Sequence, residues 1–115
     1  MDSMTIWHNP KCSKSRAALE TLEAKNIDLS VVKYLETIPT KEDIKEVLQM
    51  LGFGARDLMR TKEELYKELN LASVEENDAL IDAMVKYPKL IERPVIIKGN
   101  DAVIARPLEN IEKLF

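Results

Sequence analysis

The fold is decided by residues 5–34, TIWHNPKCSKSRAALETLEAKNIDLSVVKY. Thr5 to Trp7 is a short β-prone run, and Asn9-Pro10 closes it with a turn signal. From Ser13 to Lys25 the period changes to that of a helix. Ala18, Leu19 and Leu22 share one face, charges lie opposite, and Asn26 is a stop. Leu29 to Tyr34 reads as a second strand. Strand, helix and strand within about 30 residues make a βαβ unit, with parallel strands and a right-handed crossover.

Beyond that unit the pattern is helical. Thr40 and Asp43 resemble a capping box opening a helix that runs through Leu51 and is ended by Gly52. Gly54 to Leu71 suggests short helical pieces, and Ser73 with Glu76 suggests a second capping box on a helix finishing near Pro88. Val95 to Lys98 and Ala102 to Ala105 are apolar strands separated by Gly99, Asn100 and Asp101, a hairpin signal. Pro107 suits the first turn of a final helix ending at Phe115. The expected architecture is α/β, a four-stranded mixed sheet flanked by helices, as one domain over 1–115 with a helical insertion at approximately 40–88.

Composition narrows the function. A chain of 115 residues has room for one core, burying about 65% of the unfolded surface. The net charge of −3 lacks the basic excess of a nucleic-acid binder. No run approaches the ~18 apolar residues of a membrane span, and Met1 to Pro10 does not read as a signal peptide. A cytoplasmic, reducing location is therefore expected. The single cysteine fits it and excludes an internal disulfide. One His and one Cys do not make a closed zinc site, so no metal is expected.

Cys12 stands where the first strand gives way to the first helix. Unpaired N–H groups at a helix start stabilise a thiolate. They contribute about 0.3–1 kcal/mol, whereas lowering a thiol from ~8.5 to ~6.5 takes about 2.7 kcal/mol. Other cations must help, and Ser13 and Ser15 could add hydrogen bonds to the sulfur. Position alone leaves two readings of Cys12, a nucleophile or a small apolar filler. His8, the only histidine, is either a tuner of that thiol or a cap on the turn. Arg93 precedes Pro94, a structural proline at the entrance to the third strand, and Arg106 precedes Pro107 at the end of the fourth. Arg60 lies in the insertion beside Arg56 and Lys62. Singly these arginines read as surface charges. Together with Cys12 they suggest a site for a tetrahedral oxyanion, which guanidinium forks match bidentately.

The stretch from His8 to Arg16 resembles the active-site loop of the glutaredoxin-linked arsenate reductases, the ArsC family of the thioredoxin-like superfamily. Tyr34 to Thr37 with Pro39-Thr40, Leu90 to Pro94, and Arg106-Pro107 are similar to its later motifs, in order along nearly the whole chain. The resemblance implies a thioredoxin-like fold with a helical insertion, and Cys12 as the nucleophile toward arsenate. It implies that Arg60, Arg93 and Arg106 bind the substrate and support the thiolate, and that His8 activates the cysteine; Asn9 and Ser15, in the same loop, are candidate supports of the thiolate. It also implies glutathione as co-substrate and glutaredoxin as partner in arsenic detoxification, with no tightly bound cofactor, nucleic acid or membrane. With no second cysteine, an outside thiol must resolve any adduct. Two alternatives stand beside this one. One is a general glutathione-dependent thiol oxidoreductase. The other is an Spx-like regulator that binds RNA polymerase, although Cys12-Ser13-Lys14-Ser15 lacks the second cysteine of an internal redox switch.

Overall fold

The computed structural model of the chain describes residues 3–92, 94–105 and 108–115. It divides into two compact units, Met1–Thr37 with Arg93–Phe115, and Ile38–Glu92.

The first unit holds the sheet. β1 (Ser3–Trp7), α1 (Ser13–Glu23) and β2 (Asp28–Val32) form the expected parallel pair, and β3 (Val95–Lys98) and β4 (Asp101–Ile104) form the expected hairpin. The strand order is β2-β1-β3-β4, with β1 antiparallel to β3. The sheet is therefore mixed. β1 begins two residues earlier than its β-prone core because Ser3 and Met4 pair with Asp28 and Leu29. β2 stops short of Tyr34 because the Lys33 carbonyl accepts from the N–H groups of Glu36 and Thr37, turning the chain. α1 ends at Glu23, and Asn26 takes the left-handed conformation (φ 53°) that a short polar side chain tolerates. In the hairpin Lys98 pairs with Asp101, leaving a two-residue loop in which Gly99 supplies φ 59°.

Alternation along β1 sends Met4 and Ile6 to one face, where α1 and a 3₁₀ segment (Leu108–Leu114) cover them. Ala18 and Leu22 from α1, Ile96 and Ala105 from the hairpin, and Ile111 and Leu114 complete this core. The 3₁₀ segment is tied back at both ends. Asn110 donates to the Ile104 carbonyl at 3.0 Å, and Lys98 donates to the Leu114 carbonyl at 2.7 Å.

The second unit is helical. α2 (Lys41–Leu51) starts on the expected box, with Asp43 N–H donating to Thr40 Oγ1 and Thr40 N–H to Asp43 Oδ2, and ends on Gly52 at φ 70°. α3 (Glu64–Glu68) lies between 3₁₀ turns at Ala55–Leu58 and Leu71–Ser73. α4 (Asn77–Lys86) packs on α2, burying Leu80, Ile81 and Met84, with Ile44, Val47 and Leu48 buried on α2. Lys41–Asp82 at 3.1 Å and Lys45–Asp78 at 3.9 Å lace the outer edge of this pair. The expected box at Ser73 and Glu76 does not form. Glu76 itself is the N-cap of α4, Val74 is extended, and the Ser73 hydroxyl donates to the Asn70 carbonyl. A serine that bonds back into the preceding turn cannot cap the next helix.

Candidate functional site

β1 delivers the chain into the turn carrying Cys12. The His8 N–H donates to the Val32 carbonyl at 2.8 Å, extending the parallel ladder one step past Trp7. Asn9 to Cys12 then form a β-turn, the Cys12 N–H donating to the Asn9 carbonyl at 3.0 Å. Pro10 presets the second turn position, and Asn9 Oδ1 accepts from the Lys11 N–H at 3.0 Å, locking an Asx-turn inside the β-turn. Cys12 is thus the N-cap of α1, in extended backbone (φ −98°, ψ 121°), half-buried, its carbonyl accepting from Arg16 N–H at 3.0 Å.

Beneath the turn lies a buried polar trio. Ser15, on the first turn of α1, has no exposed surface, and its hydroxyl meets both His8 Nδ1 at 2.8 Å and the Asn9 N–H at 3.0 Å. The Asn9 N–H donates to that hydroxyl, and the contact between Ser15 Oγ and His8 Nδ1 holds the imidazole ring in place. Burial, then the charges of Lys33 and Arg16, hold the His8 pKa below 6.5, against an opposing hydrogen bond to Ser15 and the charge of Glu23. Around the trio the surface is cationic. Lys11, Lys14, Arg16 and Lys33 are exposed, and no carboxylate occurs between Ser3 and Leu19.

The structure therefore brings His8, Asn9, Cys12 and Ser15 into one turn. Ser15 and Asn9 are engaged in holding that turn in shape. Pro94 is buried, and its carbonyl accepts from Ala105 N–H at 3.0 Å, lengthening the β3–β4 ladder by one pair. Arg93, Arg106 and Pro107 lie outside the described residues. Arg60 belongs to the helical unit and is described within it. A bridge between Met59 and Ile91 fixes its backbone, with Arg60 N–H donating to the Leu90 carbonyl and Glu92 N–H to the Leu58 carbonyl, both at 2.7 Å. Its guanidinium donates from Nη1 to Glu63 Oε2 at 3.2 Å, and Nε lies 4.0 Å from Glu92 Oε1.

Two partnerships of the helical unit differ in how far residue types and periods reveal them. The partner of Arg60 could have been found, because Glu63 stands at the i+3 spacing of opposite charges. Arg56 could not. It donates to the Tyr66 hydroxyl and to the carbonyls of Leu71 and Val74, so it is a structural clamp on the α3 region, and nothing local distinguishes it from a surface charge. Among the described residues no cluster of His, Cys, Asp or Glu could hold a metal ion, and no helix is long and apolar enough to cross a membrane.

A mixed four-stranded sheet with a cysteine at the start of its first helix and a buried histidine at the end of its first strand places the fold in the thioredoxin-like class. The ArsC family pattern matches residues 7–114, and the chain belongs to that family. An arsenate reductase of Neisseria meningitidis is 48% identical over 114 residues, spanning 97% of each chain. One of Haemophilus influenzae is 41% identical over 111 residues, spanning 95% of this chain and 96% of that one. A solved structure named as an arsenate reductase from Vibrio cholerae superposes with a TM-score of 0.95 at 49% identity, covering 99% of this chain and 98% of the other.

The state of His8 has a consequence for stability. Its pKa in the folded protein lies below that of the unfolded chain, so on acidification the unfolded chain takes up the proton first. The associated stability is complete above about pH 6.5 and is lost progressively below it. Urea unfolding is expected to show a stability drop from about pH 7 to about pH 5 that shrinks in His8→Asn. An equal drop in the variant would assign it to other groups.

Proposed function

We propose that this protein reduces arsenate to arsenite through a covalent adduct on Cys12, resolved by glutathione and glutaredoxin in the cytoplasm. The observation that carries the reading is Cys12 at the N-cap of α1, within a turn set by His8, Asn9 and Ser15. Likeness to arsenate reductases over nearly all of both chains supports it.

The Cys12 thiolate attacks arsenic, an S–As bond forms, and one arsenate oxygen leaves as water after taking up two protons. The amide-rich start of α1 and the basic surface of the turn favour the thiolate over the thiol. Repulsion between thiolate and oxyanion demands fixed positive charge about the substrate, the role proposed for Arg60, Arg93 and Arg106. His8, neutral and held at Nδ1, is proposed to handle a proton of the cysteine or of the leaving oxygen. Cys12 is the only cysteine, so the adduct is attacked by a glutathione thiol and the mixed species is then reduced by glutaredoxin. Arsenic gains two electrons, two thiols become one disulfide, and Cys12 is regenerated as arsenite leaves.

The test is a coupled assay following NADPH consumption with glutathione reductase. Arsenate-dependent turnover is expected only when both glutathione and glutaredoxin are present. A full rate without glutaredoxin would overturn the proposed resolving step, and no arsenate-dependent rate would overturn the activity itself.

A further inference from the structure

Arg60 is not idle in the substrate-free protein. It sits inside an alternating row of charges, Lys89 to Glu63 at 3.9 Å, Glu63 to Arg60 at 3.2 Å, and Arg60 to Glu92 at 4.0 Å. All four side chains belong to the helical unit, and backbone hydrogen bonds hold the two segments that carry them. Arg60 and Glu63 share one turn, since Glu63 N–H donates to the Arg60 carbonyl at 3.0 Å. The two side chains are about equally shielded, 27% and 23% exposed, so water screens the pair only in part.

We infer that Glu63 acts as a built-in competitor for Arg60, occupying its guanidinium with a carboxylate that an incoming oxyanion has to displace, and so sets the affinity for that oxyanion. This rests on Arg60 being an oxyanion ligand, as proposed above. The chemistry is direct. Carboxylate and arsenate oxygens seek the same N–H groups of a guanidinium fork. With Glu63 and Glu92 beside it, the field of Arg60 is offset before substrate arrives, and a dianion meets like charge near its ligand. Glu63 is not itself in contact with substrate in this scheme and works through Arg60. Lys89 works the other way. By holding the second oxygen of Glu63 it weakens the grip of that carboxylate on Arg60.

These opposing roles give a signed test. In steady-state kinetics with inorganic arsenate, Glu63→Gln is expected to lower KM about threefold, the effect of giving up one part-screened pair, with kcat changed less than KM. Glu92→Gln shifts KM in the same direction but less, because its pair is longer. Lys89→Met raises KM. In an Arg60→Ala background the Glu63→Gln change disappears. Protection of Cys12 by arsenate against iodoacetamide follows the same order without requiring turnover. A raised or unaltered KM in Glu63→Gln, with Arg60→Ala still impaired, overturns the inference alone. If Arg60→Ala leaves KM and protection intact, the oxyanion role of Arg60 has failed and the inference falls with it.

Discussion

Replacing Cys12 with serine is expected to abolish arsenate reduction, kcat/KM falling by at least about 10³-fold, while the protein stays folded. The two halves of this expectation have separate causes. A serine hydroxyl is far less acidic than a thiol and is not nucleophilic at neutral pH without an adjacent strong base, so no covalent adduct forms with arsenic. Serine is, however, among the best N-cap residues, and position 12 caps α1 in extended backbone on a half-buried turn. Thermal melting should therefore be unchanged or slightly raised. Lost turnover with an intact melt places the defect in the chemistry. Retention of more than about 1% of the arsenate-dependent rate would remove Cys12 from the nucleophile role.

Ile6→Ala is the second large effect, and it acts on stability. Ile6 has no exposed surface, pairs with Val31 on one side and Ile96 on the other, and packs beneath α1 and the Leu108–Leu114 segment. Three elements converge on it and the backbone around it is held by ladders on both edges, so the site has little freedom to collapse. Truncation removes three carbons and leaves a cavity, costing about 2–5 kcal/mol in denaturant unfolding and a Tm drop on the order of 10 °C. Its neighbour across the parallel ladder gives the control. Val31 is 44% exposed, so Val31→Ala should cost within about 0.5 kcal/mol. Equal losses from the two would mean that the Met4–Ile6–Ile96 face is not the principal core of the sheet unit.

The sheet was legible because each strand announces itself locally. Val95 to Lys98 carries β-branched residues up to a Gly-Asn turn, and Thr5 to Trp7 ends at Asn9-Pro10, so both positions follow from residue types alone. The ends of the strands were less legible, because they depend on pairing. Ser3 joins β1 only through its partner Asp28, and Tyr34 leaves β2 because a turn claims the Lys33 carbonyl. Thr40 and Ser73 teach the same lesson at helix starts. Both head a motif of the same form, but only Thr40 caps, since the hydroxyl of Ser73 already has a local carbonyl in reach. At the site, residue types marked Cys12 and His8 as candidates. The partnership of His8 with Ser15 could not be read, because it joins a strand end to a helix face seven residues later. The engagement of Arg60 by Glu92 is less visible still, since 32 positions separate them and only the Met59–Ile91 bridge brings them side by side.

That bridge also closes a loop. Leu58 and Arg60 are clasped by main-chain bonds to Glu92 and Leu90, so the chain from Thr61 to Lys89 leaves and returns through a closed neck. The entropy of closing such a loop grows only as the logarithm of its length, so each doubling adds about 0.6 kcal/mol. The cost of holding the two ends together is therefore nearly independent of how much chain lies between them. The neck acts as an anchor, so the arginine's backbone keeps its address by main-chain bonds at the two ends of the segment.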